Sequence, residues 1–414
     1  MTFGDRLGIG IVFAVLAGCG GGGGGSPESP APTPRGWGQR DPSYGVDGVA
    51  AGLSMAGHSP MGRFAFTRDG STYALPNDYV VKLDPRGRVV TTFGIGGQAS
   101  IPARYTGTSS PIVDIPGNVY VPMGFGAVKI RPDGTAATDF GAQGVASAQF
   151  PNGSPWMNAL ALDAGGVLYA AGDVYVAKFD SQGRVATAYA EGGMHTLYLG
   201  PQGNVFDVQV DGRGNTYLAG DAAAYGAVVV KLDPAGNLAT DFGAGGMWIG
   251  GCGGSARATA PLPNGEVVVV ANCYPGTTSE PAATHVFKID ERGNTVAAYR
   301  EGGRRPMLFG TRESYVEDVL ALPSGEVVIA GFRPRPGEQA SGCGYTAAVA
   351  KLDTLGEPVA SASGAPFVLL ESEYATDLGI DAAGWIYVGT MRRNSCANHP
   401  PMGSTAAIYK LSAG

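Results

Sequence analysis

VVKLDPAGNLATDFGAGGM, Val229–Met247, is one phrase of a chain that keeps repeating it. Near copies stand at Val80–Gln98 (VVKLDPRGRVVTTFGIGGQ), Ala127–Val145 (AVKIRPDGTAATDFGAQGV), Val176–Met194 (VAKFDSQGRVATAYAEGGM) and Val286–Arg304 (VFKIDERGNTVAAYREGGR). The chain then stops at IYKLSAG, 408–414, inside a further copy. Two landmarks count the repeats. A turn glycine followed three residues later by Tyr or Val occurs at Gly70, Gly117, Gly166, Gly214, Gly265, Gly325 and Gly384. The lysine of the Lys-Leu-Asp phrase occurs at Lys82, Lys129, Lys178, Lys231, Lys288, Lys351 and Lys410. Both series give seven.

Each copy reads as four short strands. An apolar run such as DVQVD turns at its glycine and returns as TYLAG; VVVKLD then turns at PAGN and continues as LATDF. No segment sustains a helical period. Four strands per unit and seven units near 50 residues apart predict an all-β, seven-bladed β-propeller over residues 37–414. The unfinished copy has its other half at the N-terminus. GQRDPSYGVDGV, Gly38–Val49, aligns with GNLATDFGAGGM, so that Gly38 matches Gly236 and Tyr44 matches Phe242. The N-terminal segment is therefore expected to supply the outer strand of the last blade and close the ring, which removes the exposed strand edges of an open array.

The phrase Gly-Asn-x-Tyr-x-Ala-Gly followed by Val-Lys-Leu-Asp-x-x-Gly resembles NHL-type propeller repeats, and the Asp-x-Phe-Gly-x-x-Gly ending is similar to bacterial delta-60 repeats. The resemblance implies the fold; repeats of this kind serve binding modules and enzymes alike. Upstream, LGIGIVFAVLAGC is an apolar run of signal-peptide length. Its Leu16-Ala17-Gly18-Cys19 ending resembles the lipobox of bacterial lipoproteins, which implies a signal peptide over 1–18 and acylation of Cys19. Residues 19–36 then form a Gly/Pro/Ser tether to the membrane. Gly20 after the cysteine resembles the outer-membrane default, so a cell-envelope location is expected.

The chain has 414 residues, 68 of them Gly, a net charge of −7 and 15% charged side chains. With no basic run, binding to nucleic acid by phosphate neutralisation is not expected; a monomer is. From turn glycine to lysine the spacing runs 12, 12, 12, 17, 23, 26 and 26 residues, so length varies almost wholly between second and third strands and grows towards blades four to seven. Loops that lengthen on one rim of a fixed scaffold are where recognition resides. Besides Cys19 there are four cysteines, Cys252, Cys273, Cys343 and Cys396, all on that face; the hairpin and loop positions predict Cys252–Cys273 and Cys343–Cys396 bonds in an oxidising compartment.

Two groups of side chains are candidates for ligand binding. Asp207, Asp318 and Asp377 each lie seven residues before a turn glycine, near the channel mouth, and could take a divalent cation or sugar hydroxyls, or accept backbone N–H bonds from neighbouring loops. Arg63 maps to the same level and Arg257 one residue off it. Arg333, Arg335, Arg392 and Arg393, with His399 and Tyr274, make the inserted rim basic. The repeated lysine is expected to pair with blade-surface carboxylates, and the Phe/Tyr eleven residues after it to wedge between blades. No HExxH, P-loop, dinucleotide or nucleophile-elbow motif occurs. The primary reading is a non-catalytic module binding an envelope protein or polysaccharide through the loops of blades four to seven. A metal-dependent hydrolase or lyase working at the channel mouth is the alternative.

Overall fold

The computed structural model describes residues 36–55, 64–76, 78–101, 109–150, 156–274, 283–300, 302–307, 309–310, 313–335, 344–393 and 404–414. The expected signal peptide and the tether up to residue 35, including Cys19, lie outside them, as do Arg63, Cys343, Cys396 and His399. Seven four-stranded antiparallel sheets form the ring. Counted inner strand first, blade one is Phe64–Phe66, Thr72–Ala74, Tyr79–Leu83 and Gln98–Ser100. Blades two to six follow in chain order within 112–147, 159–196, 204–249, 253–307 and 315–370. Blade seven takes Tyr374–Ile380, Trp385–Arg393 and Ser404–Ser412 from the C-terminus and Val49–Met55 from the N-terminus as its outer strand.

The closure is antiparallel, with Val49 opposite Tyr409 and Ala51 opposite Ala407. Gly38 N and Ser412 N extend it by donating to Ser412 O (2.9 Å) and Gln39 O (2.8 Å). Tyr44 is fully buried, edge-on to Tyr387 at 5.7 Å, the place Phe242 takes against Tyr217 in blade four.

The repeated phrase is an inter-blade lock. In blade four the Lys231 ammonium lies 5.4 Å from both the Tyr217 and Phe242 rings and donates to Glu291 O of the next blade at 3.0 Å. The same aromatic pair brackets Lys129 and Lys178. Blades five and six have Val268 and Val328 in place of the second-strand tyrosine. There the residue after the turn glycine is Glu, and the lysine pairs with it: Lys288 with Glu266 at 2.6 Å and Lys351 with Glu326 at 3.2 Å. A cation half withdrawn from water is held by π-faces, a carboxylate or both: Lys129 also reaches Asp114 at 3.8 Å, and Lys410 pairs with Asp41 at 3.1 Å among the Tyr44, Trp385 and Tyr387 rings. Lys231→Ala is expected to lower stability by about 2 kcal/mol, combining a cation–π contact with a charge-assisted hydrogen bond. A urea titration with an unchanged m-value would measure it, and Lys231→Met should recover the part owed to the buried stem.

The aromatic of each phrase seats against the next blade's turn. Gly356, at φ +82°, passes so close to the Tyr299 ring that a Cβ would stand 2.8 Å from it, so only glycine fits the seam. Blade six lacks the aromatic, having Ala362. Trp37 from the N-terminal segment fills the gap: it is buried, accepts from Ala362 N at 2.8 Å and donates from Nε1 to Val359 O at 3.0 Å.

Candidate functional site on the loop face

One rim of the ring carries the connections between second and third strands and those leading into the next blade. Among the described residues the aromatic side chains left exposed are Trp156 (68%), Tyr198 (95%), Tyr225 (50%) and Tyr274 (51%). All four are on this rim. Trp156 and Tyr198 lead into blades three and four, and Tyr225 and Tyr274 lie between second and third strands of blades four and five. Among the described residues the large hydrophobic side chains exposed on the opposite rim are aliphatic, such as Val89, Ile115, Leu238 and Leu355. These four rings make this rim the candidate site.

Their backbones are tied into a continuous rim. Trp156 N donates to Asp173 Oδ2 at 2.8 Å, and Val205 N to Asp173 O at 2.7 Å. Asp221 accepts from Asn204 N at 2.9 Å and from the Ser255 hydroxyl of blade five at 2.8 Å. Leu199 O, beside Tyr198, accepts from Ala223 N at 3.0 Å, two residues before Tyr225. Ala227 N donates to Cys252 O at 3.3 Å, and Cys252 is bonded to Cys273, the residue before Tyr274. The expected Cys252–Cys273 bond is therefore present, and it is the last link in a chain of contacts from Tyr198 to Tyr274. Cys252→Ser with Cys273→Ser is expected to cost about 3 kcal/mol from loop-closure entropy, read as a lower melting temperature that reductant does not lower further.

Beyond Tyr274 the rim continues as an aromatic nest between blades six and seven. Tyr315 stacks on Phe332 at 5.0 Å, and Phe332 meets Tyr345 at 5.1 Å and Tyr374 at 4.8 Å edge-on. Burial, then the neighbouring Tyr345 and Tyr274 phenols, push the Tyr315 phenol up. Sequence reading singled out Tyr274 alone; sorting every aromatic by the rim its connection belongs to would have found the others.

The Arg333 guanidinium donates to Phe309 O at 2.8 Å and lies over the Phe367 ring at 5.9 Å. Arg335 is half-buried, its backbone N donating to Gly344 O. Arg392 is exposed and lines a cavity of about 490 Å³ at the edge of blade seven, together with Arg40, Asp47, Glu371 and Tyr409. Arg393 ends its strand.

The three aspartates line the channel, each at a β-bulge of an inner strand, and reach towards the following blade. Asp207 Oδ2 accepts from Thr259 N at 2.8 Å and Asp318 Oδ2 from Leu378 N at 2.8 Å. Asp377 accepts from Phe64 N of blade one, from the Thr376 hydroxyl at 2.8 Å, and from the Ser110 hydroxyl of blade two. The donor stands six residues before its own turn glycine each time, so three blades share one girdle contact. Burial raises all three carboxyls, Asp377 to about 6, and the Asp377 and Asp207 charges push Asp318 further up. The bulges turn out Phe206, Arg257, Glu317 and Thr376 in four successive blades. Arg257 lies 4.7 Å from the Phe206 ring and pairs with Glu317 at 3.0 Å. Among the described residues no three His, Cys, Asp or Glu side chains are grouped so as to hold a metal ion.

No family model and no curated protein matches the chain. Solved structures match as folds. A chain of the mitotic checkpoint complex is 12% identical over 97% of this chain and 98% of its own, with a TM-score of 0.49. The WD40 domain of Toxoplasma gondii coronin is 10% identical over 88% and 86%, TM-score 0.45. A gluconolactonase of Xanthomonas campestris is 13% identical over 71% and 82%, TM-score 0.37.

Proposed function

We propose that this chain is a non-catalytic binding module of the bacterial envelope, tethered through a lipidated Cys19, whose loop face takes a protein or glycan partner. The one-sided exposure of Trp156, Tyr198, Tyr225 and Tyr274 carries this reading. The long connections of blades five to seven rise from the same rim. The channel supports it from the other direction. Its carboxylates are engaged by neighbouring strands.

The test is a pull-down from solubilised envelopes that compares the wild type with a variant whose three long loops are trimmed within 275–282, 336–343 and 394–403, which leaves the Cys252–Cys273 bond in place. Partner recovery should fall at least tenfold with melting unchanged. Equal recovery would remove the loop face from the account. Metabolic labelling with a palmitate analogue should mark the wild type and leave Cys19→Ser unmarked.

A further inference from the structure

We infer that the row Tyr198, Tyr225, Tyr274 is a stacking platform for an uncharged polysaccharide chain; the inference rests on the binding role proposed for the loop face. Three observations choose this ligand class.

The first is rigidity. Tyr198 is almost fully exposed and Tyr225 and Tyr274 half exposed, on backbone that is held: Tyr225 N closes a turn on Ala222 O at 2.9 Å, and Gly226, at φ +70°, lets Cys252 O approach to where a Cβ would stand 2.2 Å away. Tyr274 pairs across its sheet with Gly253, and its Cδ2 would lie 3.0 Å from a Cβ on Gly254. A platform fixed in advance loses little entropy on binding.

Charge is the second. LYLGPQGN (197–204), DAAAYGA (221–227), GCGGS (251–255) and ANCY (271–274) contain one ionisable side chain outside the tyrosines and the bonded cysteines, Asp221, and its carboxylate is engaged by Asn204 and Ser255. Nothing in the row would pair with phosphate, sulfate or uronate, and the chain's net charge of −7 would repel them.

The third is texture. A protein partner seats on a contiguous apolar patch with a dry centre. Here the rings are set among segments of glycine, alanine and polar residues. A pyranose presents an apolar C–H face to such a ring and hydroxyls at its edge for the backbone groups between. Rings on successive connections suit a chain of several sugars.

The experiment is a glycan array carrying neutral and acidic oligosaccharides, probed with the intact chain and followed by calorimetry on the best-bound neutral hexasaccharide. Neutral glycans should bind. Tyr198→Ala, Tyr225→Ala and Tyr274→Ala should each weaken the interaction about tenfold, in line with the loss of one stacked ring. The matching Phe variants should stay within about twofold, because the ring rather than the hydroxyl makes the contact. Melting temperatures check that the Ala variants remain folded. Binding confined to acidic glycans, neutral binding indifferent to all three Ala variants, or an array without hits would overturn the inference. The same variants in the envelope pull-down separate the two failures. A protein partner lost with the rings, without glycan binding, sinks the polysaccharide and leaves the face; no ring-dependent partner of either kind sinks both.

Discussion

A chain lacking residues 37–55 is expected to lose its single cooperative melting transition and to self-associate. The deletion bares Ser404–Ser412, a nine-residue strand whose outer edge is covered by Val49–Met55. It also removes Tyr44 and Trp37, which fill the seams on either side of blade seven. Truncating one buried aromatic costs about 3–5 kcal/mol, so losing two approaches the whole stability of an ordinary domain, about 5–15 kcal/mol. An unpaired strand edge then templates association. Size-exclusion chromatography with light scattering, beside calorimetry, reads both effects. Trp37→Ala isolates the seam and should cost about 3–5 kcal/mol while the protein stays monomeric. A truncated chain that melts cooperatively as a monomer would show that the ring stands without its clasp.

The second large effect is a reversed response to acid. Burial holds the Asp377 carboxyl at about 6, and Asp207 and Asp318 are also raised. In the unfolded chain an aspartate titrates near 3.9. Between the two values the folded state keeps a proton that the unfolded state has released, so stability increases as pH falls from above 6 towards about 4. Asp377 alone is worth on the order of 3 kcal/mol over that window. Below it the trend turns. Asp41 and Glu266 are buried too, but hydrogen bonds from Ser43 and from Lys288 outweigh burial and hold them low. Their contribution is lost as pH falls through their folded values. Denaturant midpoints against pH should therefore peak between about 4 and 6. Asp377→Asn keeps an acceptor for Phe64 N, and the Ser110 and Thr376 hydroxyls can reverse towards an amide. It should be more stable than the wild type at pH 7.5 by about 3 kcal/mol and equal to it near pH 4.5. A wild type that weakens steadily from pH 7 to pH 5 would mean that the girdle is ionised.

The ring was legible because its causes are local and repeated. Seven turn glycines, seven lysines and the match of Tyr44 to Phe242 gave blade number, strand count and closure before any coordinate, and the sheet order agrees at each point. Trp37 escaped, because no repeat carries tryptophan there; only the missing aromatic at Ala362 shows why it is needed. The site was legible in part. Length variation pointed to the rim that bears the exposed rings, and cysteine positions gave the Cys252–Cys273 bond. Of the arginines, only the structure shows that the Arg333 guanidinium binds Phe309 O and that Arg392 lines the cavity at the edge of blade seven.

The sequence by itself determined what a periodic pattern can encode: strand order, blade count, and which glycines must take positive φ, since each follows from neighbours within one repeat and recurs in the next. Only the tertiary structure decided which side chains meet across blades. Lysine meets aromatic rings, a carboxylate or both according to what the neighbouring strands offer. Four aromatics from separate connections reach one rim because the ring brings together residues far apart in the chain. The exposure of a ring, like the proton on a buried carboxyl, depends on everything around it, and that is set by closure of the whole.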